Sequence, residues 1–199
     1  TPRRLGHTQL RHSHSLVHPP GLGSGAEPYY TTTTLSPQVL EELRWWIEFL
    51  QGSEGRFVRP WMAATLVPTF GDGSGTGTGG TIQLPGCPFE MWRGKWLPRA
   101  YKFPSVWKEL ATLKETLLRI KGSSNRAAVR GTTVFYFTDN SGVYWICTTG
   151  SSKSPALHKL LGEIRLLELD LQCMLSVVHV PGLVLITQGT DGLSRGVWM

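Results

Sequence analysis

The sequence has few of the residues and patterns that define several common protein classes. Its 199 residues include only three cysteines, Cys87, Cys147 and Cys173, and no two of them form a CxxC motif. We therefore expect neither a disulfide scaffold nor a structural zinc site, and a reducing compartment is the default. No apolar run approaches the roughly 18 residues that a membrane-spanning helix needs, so no membrane partner is predicted.

Acidic residues are also scarce, and the basic residues are concentrated in one segment. The chain has 20 Lys and Arg against 14 Asp and Glu, which gives a formal net charge of +6. Residues 93–130 contain ten basic and two acidic residues, so this segment carries +8 and the rest of the chain −2. Five aromatic residues stand among or beside these cations: Trp92, Trp96, Tyr101, Phe103 and Trp107. This pattern is typical of a nucleic-acid-binding surface, and a solvated helix face beside core aromatics is the alternative.

Composition divides the chain into three parts. Residues 1–34 are rich in Pro, Gly, Ser and Thr, with four irregularly spaced histidines, which indicates a flexible linker rather than a metal-binding tract. Residues 35–60 are predicted to form a connection helix, which begins at Ser36 and Pro37, followed by a linker. Residues 61–199 carry the patterns of a folded domain, and 40% hydrophobic residues suffice for a packed core.

The third part reads as an α/β domain. The strand and helix patterns follow the order β-β-β-α-β-α-α-β-α, in which three strands can form a meander and the later alternation favours parallel strands. The predicted strands cover residues 62–70, 78–84, 89–97, 133–138 and 175–180. A helix is predicted over residues 106–120, and residues 183–188 are interpreted as an apolar loop.

Carboxylates stand at positions where the predicted fold can bring them together. Asp72 follows the first strand and Asp139 the central one, and if these strands are parallel neighbours both side chains leave the same edge of the sheet. Each aspartate alone is also what a turn or a helix N-cap contains. On the helix, Glu109 lies at the margin of the apolar stripe and can reach inward, whereas Glu115 lies on the opposite face. Asp191 begins the terminal segment and is a further candidate.

Four converging acids repel one another, so a site of this kind needs cations to hold it. Mg²⁺, a hard ion that prefers oxygen ligands, is the natural occupant, and Mn²⁺ is the alternative. Two such ions about 4 Å apart can activate water and stabilise the leaving oxygen in phosphodiester cleavage.

Five segments together resemble the ribonuclease H domain of retroelement reverse transcriptases, in particular that of tyrosine-recombinase (DIRS-like) retrotransposons. They are FGDGSGTG at 70–77, WKELA at 107–111, FTDN at 137–140, HVPG at 179–182 and GTDGLSR at 189–195. The final DGLSR is similar to the DALSR of that family. The resemblance covers residues 62–195, and the predicted helix before it resembles the connection that precedes such domains.

The resemblance implies a ribonuclease H-like fold, a mixed five-stranded sheet (β-β-β-α-β-α-β-α) flanked by helices. It also implies hydrolysis of the RNA strand of RNA–DNA hybrids, with two Mg²⁺ ions held by Asp72, Glu109, Asp139 and Asp191. An upstream reverse transcriptase polymerase domain in the same polyprotein is the implied protein partner. Ser74 and Asn140 match positions beside the metals. The implied hybrid contacts lie in the basic segment, at Arg93, Lys95, Trp96, Arg99 and Lys102.

The sequence departs from this family in the segment before the last acid. Cellular relatives carry a histidine there that is thought to help product release, whereas residues 183–188 contain none. His179 is the nearest histidine and the candidate for an auxiliary role, with a core or edge histidine in the strand as its alternative.

Other functions fit part of the sequence. The glycine-rich run 72–80 could cradle a phosphate, as in actin-like ATPases, but it lacks the Gly-Lys-Ser/Thr of a P-loop and no second phosphate loop follows. The integrase-like branch of the fold also uses metal-bound acids, and the DGLSR tail argues against it. A catalytically inactive nucleic-acid-binding module of the same fold is the main alternative to an enzyme.

Overall fold

The computed structural model describes residues 35–52 and 66–196, which form two units. The first unit contains helix α1, Pro37–Gly52. Ser36 acts as its N-cap, because its Oγ accepts a hydrogen bond from the backbone N–H of Val39 at 3.3 Å. The predictions for residues 1–34 and for the linker after α1 concern residues outside those described. None of the helices described is both long and apolar enough to cross a membrane.

The second unit is built on one five-stranded sheet, as the sequence predicted. Its strands are β1 Leu66–Gly73, β2 Gly77–Ile82, β3 Glu90–Lys95, β4 Thr133–Thr138 and β5 Met174–His179. Its helices are α2 Ser105–Gly122, α3 Ser141–Thr149, α4 Pro155–Leu171, α5 Gly182–Gln188 and α6 Thr190–Ser194, with short 3-10 helices at Pro98–Lys102 and Arg126–Val129. The strand order is β3-β2-β1-β4-β5. The β1–β2 and β2–β3 pairs are antiparallel, and the β1–β4 and β4–β5 pairs are parallel.

The register of β1 against β4 fixes the edge of the sheet at which the acids emerge. Phe70 is paired with Phe137, and their rings stack with centroids 4.6 Å apart. Asp72 and Asp139 each come two residues after this pair, so both leave the carboxyl end of the parallel strands. Strand β1 continues beyond its predicted end at residue 70, because Asp72 and Gly73 still pair with Gly79 and Thr78 of β2.

Helix α2 packs against the sheet along the predicted apolar stripe. Leu110, Leu113, Leu117 and Ile120 are buried, in a core that continues through α4 and the inward face of β4. This helical phase turns Glu109 inward as well, whereas Glu115 remains at the surface in an ion pair with Arg119. Helix α2 thus places the carboxylate of Glu109 at the edge of the sheet.

The interpretation of residues 183–188 as a loop was wrong, because they belong to α5. Pro181 occupies the N-cap position, and Leu185 is buried. The helix ends at Gly189, whose φ of 92° lies in the left-handed region that glycine adopts readily. An apolar stretch between a proline and a glycine is compatible with both a loop and a short helix, and here the buried leucine favours the helix.

Close approach of β1 and α2 depends on glycine at residue 73, which gives a prediction for stability. A Cβ at this position would lie 2.7 Å from the carbonyl of Lys108 and 2.8 Å from the N atom of Glu109. Gly73→Ala should therefore lower the free energy of unfolding by about 1–3 kcal/mol, as overpacking does. Denaturant unfolding measures this loss. Gly75→Ala is the matched control, since nothing lies within 4 Å of its added Cβ; an equal effect of both variants would contradict the prediction.

Candidate metal centre

Three carboxylates from three different elements meet at the edge of the sheet. Asp72 lies at the end of β1, Glu109 on the first turns of α2, and Asp139 directly after β4. Each offers one oxygen, and these oxygens all lie within 4.8 Å of one another. Asp72 and Glu109 are only 7% and 5% exposed, whereas Asp139 is exposed. The cluster is therefore closed on one side by the protein and open to solvent on the other.

Burial of this cluster opposes ionisation of its acids. Desolvation, and then the neighbouring Asp72 carboxylate, raises the pKa of Glu109 to about 9. The pKa of Asp72 is raised too, first by desolvation and also by the charges of Asp191 and Asp139. Below the cluster, burial raises the pKa of the Tyr136 hydroxyl well above its ordinary value. Ionised acids in this position need a positive counter-charge.

The donor set fits a hard divalent cation. The buried Oε2 atom of Glu109 has no hydrogen-bond partner among the described residues, so it retains its capacity to act as a ligand. Carboxylate oxygens are the ligands that Mg²⁺ and Mn²⁺ prefer in proteins. An exposed third carboxylate on the solvent side would leave further coordination positions accessible. The three acids could therefore hold such an ion.

Ser194 orients Asp72 from the C-terminal segment. Its buried hydroxyl is hydrogen-bonded to the Asp72 carboxylate and also lies 2.9 Å from the carbonyl oxygen of Asp191. The backbone carbonyl of Ser194 in turn accepts a hydrogen bond from Ser74 Oγ at 2.9 Å. This network joins the end of β1 to α6 and keeps Asp72 aimed at the cluster.

Asp191 lies beside the three acids but is not one of the cluster. Both of its carboxylate oxygens accept hydrogen bonds from Arg195, at 2.8 and 2.9 Å. It is still near enough for its charge to contribute to the raised pKa of Asp72. The structure thus brings together three of the four predicted acids and places the fourth next to them in an ion pair.

The two residues expected beside the metals stabilise local backbone. Ser74 Oγ accepts hydrogen bonds from the N–H groups of Thr76 and Gly77, at 3.1 and 3.0 Å, and so forms the turn between β1 and β2. Asn140 Oδ1 accepts from Gly142 and Val143, which makes Asn140 the N-cap of α3. Because Asn140 supplies this cap, the carboxylate of Asp139 is not used for it.

His179, the auxiliary candidate, is the last residue of β5 and is exposed. Its Nε2 lies 3.1 Å from the backbone carbonyl oxygen of Asp139, and its ring faces Tyr144 with centroids 6.3 Å apart. The histidine therefore stands at the rim of the cluster rather than in the core.

Several of the predicted substrate contacts lie on the surface around β3. Arg93 and Lys95 are exposed on this strand, and Arg99 and Lys102 are exposed on the 3-10 helix that follows. Trp96 is tied to the site, because its Nε1 donates a hydrogen bond of 2.9 Å to the carbonyl oxygen of Ser74. In the segment that follows, the rings of Phe103 and Trp107 stack with their centroids 4.2 Å apart.

Part of the positive charge of the basic segment is paired with acidic side chains. Three of its cations, all on α2, form ion pairs: Lys114 with Glu163, Arg119 with Glu115, and Lys121 with Asp170. Trp92 is buried, and the Arg119 guanidinium lies 4.5 Å from its ring centroid. A count along the chain cannot separate these helix-face charges from those near the site.

Sequence reasoning missed the roles of Ser194 and Arg195, which it noted only as letters of the terminal motif. Arg195 follows Asp191 by four residues, a spacing that places two side chains on one helix face, and this was the available signal. The contact of Ser194 with Asp72 joins residues 122 positions apart, so no local pattern indicates it.

Similar proteins are found by comparison of structures and not by comparison of sequences. The sequence matches no protein-family model and no curated protein. The structure of LC11-RNase H1 in complex with an RNA/DNA hybrid is similar, with a TM-score of 0.53 and 14% identity over 66% of this chain and 94% of that one. RNase H1 from Halobacterium salinarum NRC-1 gives 0.48, with 16% identity over 66% and 96%. The prototype foamy virus protease–reverse transcriptase gives 0.42, with 13% identity over 75% of this chain and 20% of that one.

These findings show the fold: the unit that contains residues 66–196 has the ribonuclease H-like architecture, with its mixed five-stranded sheet and flanking helices. In this architecture the acid cluster occupies the carboxyl edge of the two central parallel strands, where open α/β sheets form their sites.

The raised pKa of Glu109 predicts an unusual pH dependence of stability in the metal-free protein. A carboxyl whose folded pKa is about 9 keeps a proton that the unfolded chain loses near its ordinary pKa. Stability conferred by that proton is complete below the unfolded pKa and is lost as pH rises from about 4.5 towards 9. In chelator, the melting temperature should therefore fall across this range.

Glu109→Gln should remove much of this dependence and raise the melting temperature at pH 8 by several degrees. Glu115→Gln, at the half-buried ion pair with Arg119 and away from the acid cluster, is the matched control and should follow the parent. Thermal unfolding in chelator at pH 5 to 9 measures both. A parent whose melting temperature rises steadily with pH, or a Glu109→Gln variant less stable than the parent at pH 8, would contradict the assignment.

Proposed function

We propose that this chain is a metal-dependent endonuclease that hydrolyses the RNA strand of RNA–DNA hybrids during reverse transcription of a retroelement. One observation carries the proposal. Asp72, Glu109 and Asp139 converge within 4.8 Å at the carboxyl edge of a ribonuclease H-like sheet. Acids in this arrangement can bind divalent cations, which act in phosphodiester hydrolysis in general.

The proposed cofactor is Mg²⁺, with Mn²⁺ as a substitute. Asp72, Glu109 and Asp139 would hold it, and Asp191 would complete the ligand set. When bound, a pair of such ions supplies activation of the attacking water and stabilisation of the leaving oxygen. The desolvation that raises the pKa of Glu109 and Asp72 opposes their ionisation, and a bound cation would offset this effect by favouring the ionised carboxylates.

The residues around the acids serve to hold them in place. Ser194 directs the Asp72 carboxylate, and Ser74 links the same segment to the turn after β1. Asn140 supplies the N-cap of α3 and so leaves Asp139 available on the solvent side. Fixed ligands reduce the reorganisation needed when substrate arrives, which favours the reaction.

The substrate proposal rests on the surface beside the site and on the similar fold bound to a hybrid. Arg93, Lys95, Arg99 and Lys102 provide exposed positive charge for a phosphate backbone. Trp96 is anchored to the Ser74 carbonyl, so an aromatic ring stands at the turn that follows β1 and Asp72. The similar LC11-RNase H1 structure contains an RNA/DNA hybrid. Contacts to the 2′-hydroxyl would select the RNA strand, and His179, at the rim, is the candidate for an auxiliary role.

The retroelement setting is proposed from the DGLSR tail and the spacing of the five segments that resemble retroelement reverse transcriptases. An upstream polymerase domain in the same polyprotein is the corresponding partner, with residues 1–34 as linker, residues 35–60 as connection and residues 61–199 as the nuclease domain.

A non-catalytic module of this fold would have no use for buried acids that destabilise it without a cation.

Removing one acid should separate cleavage from binding. Asp139→Asn should lower the rate of hybrid cleavage in Mg²⁺ by at least about a hundredfold, because a charged ligand at the reacting centre is removed. Hybrid affinity should stay within about threefold, since Asp139 is not one of the exposed cations on and after β3 that are proposed to contact the phosphates. Chelator should abolish cleavage by the parent protein.

The matched control for this variant is Asp170→Asn, which changes an aspartate that pairs with Lys121 at the surface. It should cleave like the parent. A labelled hybrid on a denaturing gel, together with a filter-binding titration, gives both quantities. A parent that binds hybrids tightly in Mg²⁺ and never cleaves them would replace this proposal with the non-catalytic module.

The position of the nucleic acid is tested through the cations around β3. Neutralising Lys95 and Lys102 together with glutamine should weaken hybrid binding and reduce the salt slope by about one for each phosphate that is no longer bound. Lys121→Gln is the control, because this lysine lies near the other end of α2 in an ion pair. Binding curves at several salt concentrations provide the slopes, and a slope equal to that of the parent would move the substrate surface elsewhere.

A further inference from the structure

A bidentate ion pair holds Asp191 apart from the other acids. Arg195 donates to both of its carboxylate oxygens, at 2.8 and 2.9 Å, from the next turn of the same segment. The Asp191 side chain is 29% exposed and that of Arg195 is 62% exposed, so the pair lies at the surface and its partners can be exchanged. Both carboxylate oxygens of Asp191 thus accept hydrogen bonds from Arg195 in the protein without substrate.

The backbone that carries Asp191 is nevertheless fixed beside the cluster. Ser194 contacts both the Asp72 carboxylate and the Asp191 carbonyl. Residues 193 and 194 also pack closely against β2. An added Cβ at Gly79 would lie only 2.6 Å from Leu193 Cβ, too close for any residue but glycine. The backbone of Asp191 is therefore held in place, and the approach of its carboxylate to the other acids would be a movement of the side chain.

Arg195 also lines an open groove of about 470 Å³ between β3 and residues 193–196. Arg93 and Lys95 supply two further cations to the same groove. The two walls are joined by Arg93, whose Nη1 donates a hydrogen bond of 2.7 Å to the carbonyl oxygen of Gly196. Three cations around one groove, which is also lined by Ser194, the residue that contacts Asp72, form a site suited to a phosphodiester backbone.

A phosphate in this groove would compete with Asp191 for Arg195. A guanidinium binds carboxylate and phosphate with the same two-pronged geometry, so one can replace the other without loss of hydrogen bonds. We infer that Arg195 is a positioning residue that exchanges Asp191 for a backbone phosphate of the bound hybrid, so that the fourth acid joins the metal site only when substrate is present. This inference rests on the proposed function.

The exchange has a consequence for the free protein. Arg195 keeps one ligand away from the cation, so metal binding before substrate is limited to three acids. Loss of Arg195 should release Asp191 and strengthen metal binding in the absence of nucleic acid. By the reciprocity of linked equilibria, substrate and metal should each strengthen binding of the other through this residue.

The test is a calorimetric titration of the chain with Mn²⁺ in the absence of nucleic acid. Arg195→Gln should bind Mn²⁺ at least about threefold more tightly than the parent, in line with typical coupling between sites. Asp191→Asn should bind like the parent, because Asp191 is not a ligand in the free state. The double variant should lose the gain made by Arg195→Gln.

The double variant separates the exchange from a general effect of charge. If the gain persists when Asp191 is replaced, removal of a nearby cation explains it and the inference fails. Weaker Mn²⁺ binding by Arg195→Gln would mean that Arg195 orients a ligand already in use, which also overturns the inference. Unchanged affinity overturns it equally. A parent that binds no Mn²⁺ would instead contradict the proposed function, and the inference with it.

Arg93→Gln is the matched control for the groove. It should weaken binding of a 12-base-pair RNA–DNA hybrid in chelator, as Arg195→Gln should, but leave Mn²⁺ affinity unchanged, since Arg93 does not pair with Asp191. An equal gain in Mn²⁺ affinity from both variants would contradict the exchange. Arg195→Lys retains the charge without the two-pronged geometry and gives a second variant if Arg195→Gln fails to fold, with an intermediate Mn²⁺ affinity expected.

Discussion

The parallel pairing of β1 with β4, with α2 pressed against β1, is the constraint on which the site depends. It places Asp72 and Asp139 at equal distances beyond a common pair of residues, and it turns Glu109 towards them from the helix. The acids do not attract one another, so they do not hold this arrangement together. The buried apolar contacts of α2 with the sheet stabilise it instead. The core therefore holds together three groups that would separate if they were ionised in a flexible chain.

This arrangement makes the stability of the domain depend on what neutralises the acids. Without a cation, the pKa of Glu109, which is raised to about 9, means that this carboxyl retains a proton that a free carboxylate would lose at neutral pH, and the pKa of Asp72 is shifted in the same direction. With a cation, the same low-dielectric surroundings strengthen the attraction between ion and ligands. Burial thus opposes the ionised site and strengthens the occupied one, which is the usual exchange of stability for function at a preorganised centre.

The features that follow from local pattern and strand order could be predicted from the sequence. A helical stripe of apolar residues gave the phase of Glu109, and two aspartates at the ends of strands expected to be parallel neighbours gave the sheet edge. Contacts between distant segments could not be predicted in this way. The Ser194–Asp72 bond depends on how the last turn meets β1, and the ion pairs of Lys114 and Lys121 depend on where α4 lies. Charge counted along the chain carries no information on which face a side chain occupies.

The positions of the charges have a consequence for the approach of a nucleic acid. Ionised acids repel a phosphate backbone. A nucleic acid can therefore bind at this edge of the sheet only where nearby positive charge offsets the repulsion. Arg195 pairs with Asp191, and Arg93 and Lys95 line the same groove as Arg195, so these cations can provide that attraction. At physiological ionic strength the attraction reaches only about 8 Å, so cations on the far end of α2 would contribute little. Placement next to the cluster, rather than the net charge of the chain, is therefore what allows acids and a polyanion to share one site.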